Sequence, residues 1–232
     1  MTMPQVTTRI DAPTGNTVSL DAAEFGPSEM YVLLRDTVVP RPIAWVSTMD
    51  TEGVTNLAPF SFFNVVCPDP PVLGFSCGPR GDNHDTALQN PKDTLINIRA
   101  NGEFVVKSVP GHLTEPMVKT SDPLPHGRSE FAHAGLIEIA SSKVRPPRVQ
   151  GVPVAFECRL YDILDVGVNV WIMGTIVHIH IDPDAYVGLR GNFRHRVDVM
   201  KRVEARPVGR LDRANYVQLK EIETHLRKGG PG

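Results

Sequence analysis

The sequence predicts a mostly-β fold, and three observations carry that expectation. β-branched and aromatic runs recur along the chain, each bounded by Gly, Pro or Asp. Short polar turns separate neighbouring runs, and nowhere does strand alternate with helix in the βαβ manner. A closed antiparallel barrel or a sandwich satisfies all three, and a barrel also removes the free edges that long apolar strands would present.

Taken in order, residues 1–25 are polar, are interrupted by Pro4, Pro13 and Gly15, and read as an N-terminal arm. Met30 to Leu34 is a short apolar stretch, followed by Pro40-Arg41-Pro42, where each proline restrains the residue before it. Ile43 to Thr48 and Val54 to Phe63 flank the polar turn Asp50 to Gly53 as two antiparallel strands. Pro71 to Ser76, Gly102 to Lys107, Val152 to Leu160 and Val168 to Ile181 follow the same grammar. Helical pattern is confined to Asp93 to Ile98, which opens on an acid, and to a single turn at Pro116 to Thr120. The main domain is expected over residues 26–203. Residues 204–232 are expected to form a C-terminal wrapping segment and tail, and the part from Glu204 to Tyr216, basic and aperiodic, looks like a segment that wraps rather than packs.

Composition narrows the function classes. The 232 residues are 41% hydrophobic and 22% charged, within the range of a globular protein that buries its own core. A net charge of -2 provides no basic field, so nucleic acid is a poor partner. No run approaches the roughly 20 apolar residues that span a bilayer, and the N-terminus lacks the pattern of a signal peptide. The 3 cysteines, Cys67, Cys77 and Cys158, are odd in number and unpaired in spacing, which argues against a disulfide framework. A cytoplasmic protein with no membrane partner is the expectation.

Two constellations carry chemistry. In the first, alternation puts Ser47 on the face of Trp45 and Thr48 on that of Val46, while Asn56, Ala58 and Ser61 interrupt the apolar run of the second strand. Small and amide-bearing residues there let a backbone approach a flat ligand; the same residues equally suit a hairpin tapering at a barrel corner. The second joins Ser76, at a strand end, to Lys92-Asp93-Thr94 at a helix start. A cation, a hydroxyl and the free N–H groups of a first turn suit a phosphate. Asp93 is the awkward member, because a carboxylate repels a phosphate unless its side chain turns away to cap the helix. An ordinary capped helix with a solvated lysine is the bland alternative.

Together these constellations resemble the flavin reductase-like, FMN-binding split β-barrel family, including its flavoredoxin group. The resemblance runs from about Tyr31 to Tyr216 and rests on RPIAWVST (Arg41–Thr48), NLAPFSFFN (Asn56–Asn64), DPPVLGFS (Asp69–Ser76) and KDTLINI (Lys92–Ile98). GEFVV, SEFAHAGL, VRPPRV, PVAFECRL and RPVGRL follow in the family's order. It implies a dimeric split barrel with short connecting helices, a homodimer with one FMN per subunit, and NADH or NADPH as reductant. It further implies that Trp45, Ser47 and Thr48 line the ribityl and ring region, that Asn56, Leu57 and Ala58 follow the isoalloxazine edge, and that Ser76, Lys92, Asp93 and Thr94 hold the phosphate. His180 would lie toward the flavin or substrate pocket, and Arg210 near the ring's carbonyl edge.

The chain departs from the family pattern in three places: a longer loop from Gly78 to Pro91 carrying His84 and Asp85, Thr175 where an acid is expected, and Asp212-Arg213 in place of a glycine pair. His178 and His180 share a strand face but lack a third local metal ligand. No catalytic residue is named, because hydride transfer to FMN N5 needs no side-chain acid or base and the cofactor holds the chemistry. The resemblance thus points to an NAD(P)H-dependent flavin reductase. It would serve a small-molecule electron acceptor or a partner monooxygenase that uses reduced flavin. An FMN-bearing electron carrier or storage protein, and an FMN-dependent oxygenase or reductase acting on an organic substrate, need the same pocket. A β-barrel binding module without flavin is the fourth possibility.

Overall fold

The computed structural model describes residues 17–81, 85–190, 193–223 and 225. The expectations placed on the beginning of the arm, on His84 and on the last residues lie outside them. The chain divides into two compact units, one ending at Val38 and the other beginning at Val39. In the first, the stretch read as merely apolar is helix α1 (Pro27–Thr37). Pro27 occupies the first helical position, and Glu29 Oε2 accepts the Gly26 N–H at 3.1 Å. No residue of α1 is buried.

The second unit is built on strands β1 (Arg41–Pro42), β2 (Ala44–Met49), β3 (Thr55–Phe60), β4 (Phe63–Pro68), β5 (Pro71–Cys77), β6 (Glu103–Lys107), β7 (Glu138–Ile139), β8 (Arg148–Val149), β9 (Val154–Val166), β10 (Asn169–Ile181), β11 (Tyr186–Arg190), β12 (Phe193–Val197), β13 (Val208–Arg210) and β14 (Tyr216–Gln218). Between them lie α2 (Asp93–Asn101), α3 (Thr114–Lys119) and α4 (Glu130–His133). Seven strands form one antiparallel sheet in the order β3-β2-β6-β9-β10-β5-β4. No ladder joins its two edges, β3 and β4, among the described residues. The sheet nonetheless curls around its own core. Phe60 of edge strand β3 and Phe75 of β5, strands far apart in sheet order, meet with ring centroids 4.8 Å apart.

Strand alternation divides the core into two faces. Ala44, Val46, Phe75, Phe104, Val106 and Ile172 pack inside the curl with Leu95 and Ile98 of α2. Ile43, Trp45 and Leu57 pack outside it with Met117 of α3 and Phe131 of α4. The interior is tight enough that β10 needs a glycine: a Cβ on Gly174 would overlap the Phe104 ring and approach Cys158 Cβ at 3.0 Å.

The segment between β7 and β8 and the residues leading into it strap the outer face to the sheet. Glu157 of β9, with no exposed surface, accepts the N–H groups of Ser142 and Lys143, each at 2.6 Å, and bonds His180 Nε2 at 2.5 Å. Ser47 Oγ donates to the Pro147 carbonyl in the same strap. Burial pushes the Glu157 carboxyl up, but the Ser142 N–H, the His180 side chain and the Lys143 N–H outweigh it, and the group titrates below its ordinary value. The C-terminal segment is a packed element as well: β13 pairs with β1, Arg210 opposite Arg41, and with β14, Gly209 opposite Val217.

Two outcomes follow for stability. Gly174→Ala should lower unfolding free energy by about 1–3 kcal/mol through overpacking, seen as a lower urea midpoint at unchanged slope. Glu157→Gln leaves an N–H donor of the strap unmet and should cost about 3 kcal/mol at neutral pH. Because the folded carboxyl titrates below 4.5, its stabilisation is complete above that pH and is lost as pH falls through the folded value. The gap between wild type and Glu157→Gln in thermal midpoint should therefore narrow in acid.

Candidate functional site

A cleft of about 220 Å³ opens where the N-terminus of α2 meets β3. Asn56, Ala58, Pro59 and Phe60 supply one side, Lys92, Asp93 and Thr94 the helix start, and Thr120 to Leu124 with Glu130 the opposite wall. Arg80 and Gly81, from the long loop after β5, close one end.

Sequence produces this arrangement locally. Asn56 and Thr48 are partners across the β2–β3 hairpin and point toward α2. The Asn56 amide donates to Thr48 Oγ1 at 3.3 Å and to Thr94 Oγ1 at 3.0 Å, and Asn97 donates to the same Thr48 hydroxyl at 3.0 Å. All four side chains are buried, so these bonds hold the start of α2 over the hairpin. Lys92 occupies the N-cap position without a side-chain cap, and its Nζ lies 5.9 Å from the Phe60 ring centroid. The helix therefore presents first-turn N–H groups and an ammonium to the cleft.

The Asp93 carboxylate does not cap the helix. Its Oδ1 bonds Arg80 Nη2 at 2.5 Å and His126 Nδ1 at 2.7 Å. The negative charge is thus matched by a guanidinium, which removes the objection to an anion at this helix start. Arg80 Nη1 also donates to the Leu124 carbonyl at 3.4 Å, linking two walls of the cleft. Glu130, 7% exposed, accepts the Leu57 N–H at 2.8 Å. That N–H points away from β2 along the open edge of β3, and two residues on Pro59 has no N–H to offer.

Of the twelve residues singled out in the sequence, Asn56, Ala58, Lys92, Asp93 and Thr94 line the cleft. Thr48 stands behind it through its bonds to Asn56 and Asn97. Trp45 is buried on the other face of β2, with Nε1 donating to Thr120 Oγ1 at 2.9 Å. Ser47 serves the strap, and the Leu57 side chain packs in the outer core. Ser76 does not line the cleft; its Oγ accepts from Asn169 Nδ2 at 2.9 Å. His180 is held by Glu157, and its ring lies edge-on to His178 at 4.7 Å. Arg210 donates to the carbonyls of Asp212 and Arg213 and lies over the Tyr216 ring.

Sequence reasoning missed Arg80, His126 and Glu130. Each sits in a loop or at a loop end, and only the folded chain brings them to α2. It also missed Lys107, fully buried with no hydrogen-bond partner for its Nζ among the described residues; burial pushes that amine well below its ordinary value.

The chemistry of the lining suits a flavin that carries a phosphate. The ammonium and uncapped helix start suit a phosphate, and Ala58, Pro59 and Phe60 offer a flat, largely apolar wall. No helix among the described residues is long and apolar enough to cross a membrane.

Comparison with known proteins agrees with this chemistry. The model of the flavin reductase like domain matches residues 35–196. An uncharacterized protein of Aquifex aeolicus is 38% identical over 189 residues, covering 82% of this chain and 89% of its own. Nitrilotriacetate monooxygenase component B from Bacillus cereus superposes with a TM-score of 0.79 at 27% identity, covering 91% of this chain and 100% of that one. The 2-nitrobenzoate 2-nitroreductase of Pseudomonas fluorescens superposes at 0.76 with 28% identity, over 92% and 98% of the two chains. The chain belongs to the flavin reductase-like domain family.

Proposed function

We propose that the chain binds FMN in the cleft at the start of α2 and, as a homodimer, acts as an NAD(P)H-dependent flavin reductase. The observation that carries this reading is the union, in one cleft, of an uncapped helix N-terminus with Lys92 and the Asn56–Phe60 strand edge. Lys92, Thr94 and the first-turn N–H groups would hold the phosphate. Ala58, Pro59 and Phe60 would lie along the ring, and the Asn56 amide would keep helix and strand at fixed separation. FMN, when bound, supplies the hydride acceptor at N5. The protein's part is to orient the ring and exclude water around it.

Exposed apolar residues support a second subunit: Val65 and Val66 on edge strand β4, and Leu164 and Val166 on β9. Ser76, His180 and Arg210 line no part of the cleft in one chain, and their place in the proposal is beside the flavin of the assembled dimer. The similarity to a nitroreductase favours a second reading, reduction of an organic acceptor at the bound flavin.

Purified protein should carry or take up FMN and show flavin absorbance, and should oxidise NADH or NADPH with free FMN as acceptor. FMN binding without nicotinamide oxidation would move the assignment to an electron carrier. No flavin binding at all would remove it. Lys92→Ala should weaken FMN binding by about 1.5–3 kcal/mol while affecting riboflavin, which has no phosphate, much less. Fluorescence titration of both flavins checks this, and equal losses would place Lys92 away from the phosphate.

A further inference from the structure

We propose that Glu130 binds the cleft's ligand as a neutral acid, donating a hydrogen bond from its protonated carboxyl to a ring carbonyl or ring nitrogen of the flavin. This rests on the flavin-binding reading above.

Geometry holds the carboxyl at the wall of the cleft. Oε2 is fixed by the Leu57 N–H at 2.8 Å. The residue's own N–H also donates to the carboxyl, and Glu130 lines the cleft. The residue is 7% exposed, and no cation comes within ion-pair distance of it among the described residues. A carboxylate in such a place lacks both water and counter-charge.

The charged and titratable groups around it work in both directions. From α2 come Lys92 and Asp93, from the loop after β5 Arg80, from the wall that Glu130 itself belongs to Asp122, and from α4 His133. Glu138 of β7 accepts from the Thr55 hydroxyl, two residues before Leu57. Arg80 is committed to Asp93, so its charge is partly spent. Burial pushes the Glu130 carboxyl above its ordinary value and Asp93 reinforces this, while the Leu57 N–H, the residue's own N–H and the Arg80 charge oppose it without cancelling it. A ligand entering the cleft displaces the remaining water and favours the protonated form further. A protonated carboxyl is a donor, and the electron-rich edge of a flavin ring offers acceptors.

The test is riboflavin affinity as a function of pH, riboflavin being chosen because it has no phosphate to titrate. Wild-type affinity should be constant in acid and fall by about tenfold per pH unit once the free protein's Glu130 ionises. Calorimetry in buffers of different ionisation heat should show proton uptake on binding. In Glu130→Gln the amide oxygen can accept the Leu57 N–H while its NH2 faces the cleft as a permanent donor. That variant should bind riboflavin at every pH about as wild type does in acid, with no proton uptake. Affinity that is flat or rises with pH in wild type, or the same pH dependence in Glu130→Gln, overturns the proposal and leaves flavin binding standing. If the variant does not fold, the wild-type profile and buffer heats decide alone. Absence of riboflavin and FMN binding at every pH overturns this proposal together with the functional reading.

Discussion

The Asn56 amide donates at once to a strand hydroxyl, Thr48, and a helix hydroxyl, Thr94, while Asn97 returns from the helix to the same Thr48. These few bonds lie inside the protein, where an unmet donor costs about 1–3 kcal/mol, so the separation of β3 from α2 is held by the penalty for breaking them as much as by their own strength. The cleft, the exposed start of α2 and the position of Lys92 all depend on that separation. Apolar packing of Leu95 and Ile98 beneath holds the helix to the sheet without specifying its register.

Electrostatics in the cleft is a matter of pairing. Asp93 would repel an anion, yet Arg80 and His126 occupy its carboxylate and leave Lys92 and the helix N–H groups to face the ligand. Glu130 is differently placed, held by the Leu57 N–H and by its own N–H, with no cation at ion-pair distance among the described residues. A cleft with a committed acid, an uncommitted ammonium and a desolvated carboxyl can meet a phosphate and a neutral ring with different groups. Family membership makes flavin chemistry the natural use of such a site, and the geometry says which side chains of this chain would serve it.

Strand β2 shows how one sequence element supplies two surfaces. Ala44 and Val46 face the interior of the curl, and Ile43 and Trp45 face outward beneath α3 and α4. Ser47, on the outward face, ties down the strap, and Thr48, on the inward face, anchors α2. The RPIAWVST segment is thus mainly architectural in a single chain, and its influence on the site passes through Thr48.

The strands and their turns were legible in the sequence because their signal is local: alternation, β-branched residues and the Asp50–Gly53 turn all act within a few residues. So were Lys92 and Thr94, because a helix start announces itself in adjacent residues. Helix α1 was read only as an apolar stretch; its Pro27 start and Glu29 contact were overlooked. β4 merged with β3 because only Ser61 and Phe62 separate Phe60 from Phe63, with no glycine, proline, asparagine or aspartate to mark the bend. The tail was expected to wrap without packing, whereas β13 and β14 pair with β1 through a sheet whose partner strands lie far away in sequence. Tertiary structure alone decided that Asp93 is matched by Arg80 and His126, that Glu130 reaches the edge of β3, and that Ser76 and Arg210 turn to neighbours outside the cleft. Local alternation and capping propensities fix which way a side chain leaves its own strand or helix, but which distant loop meets it depends on how the whole sheet curls.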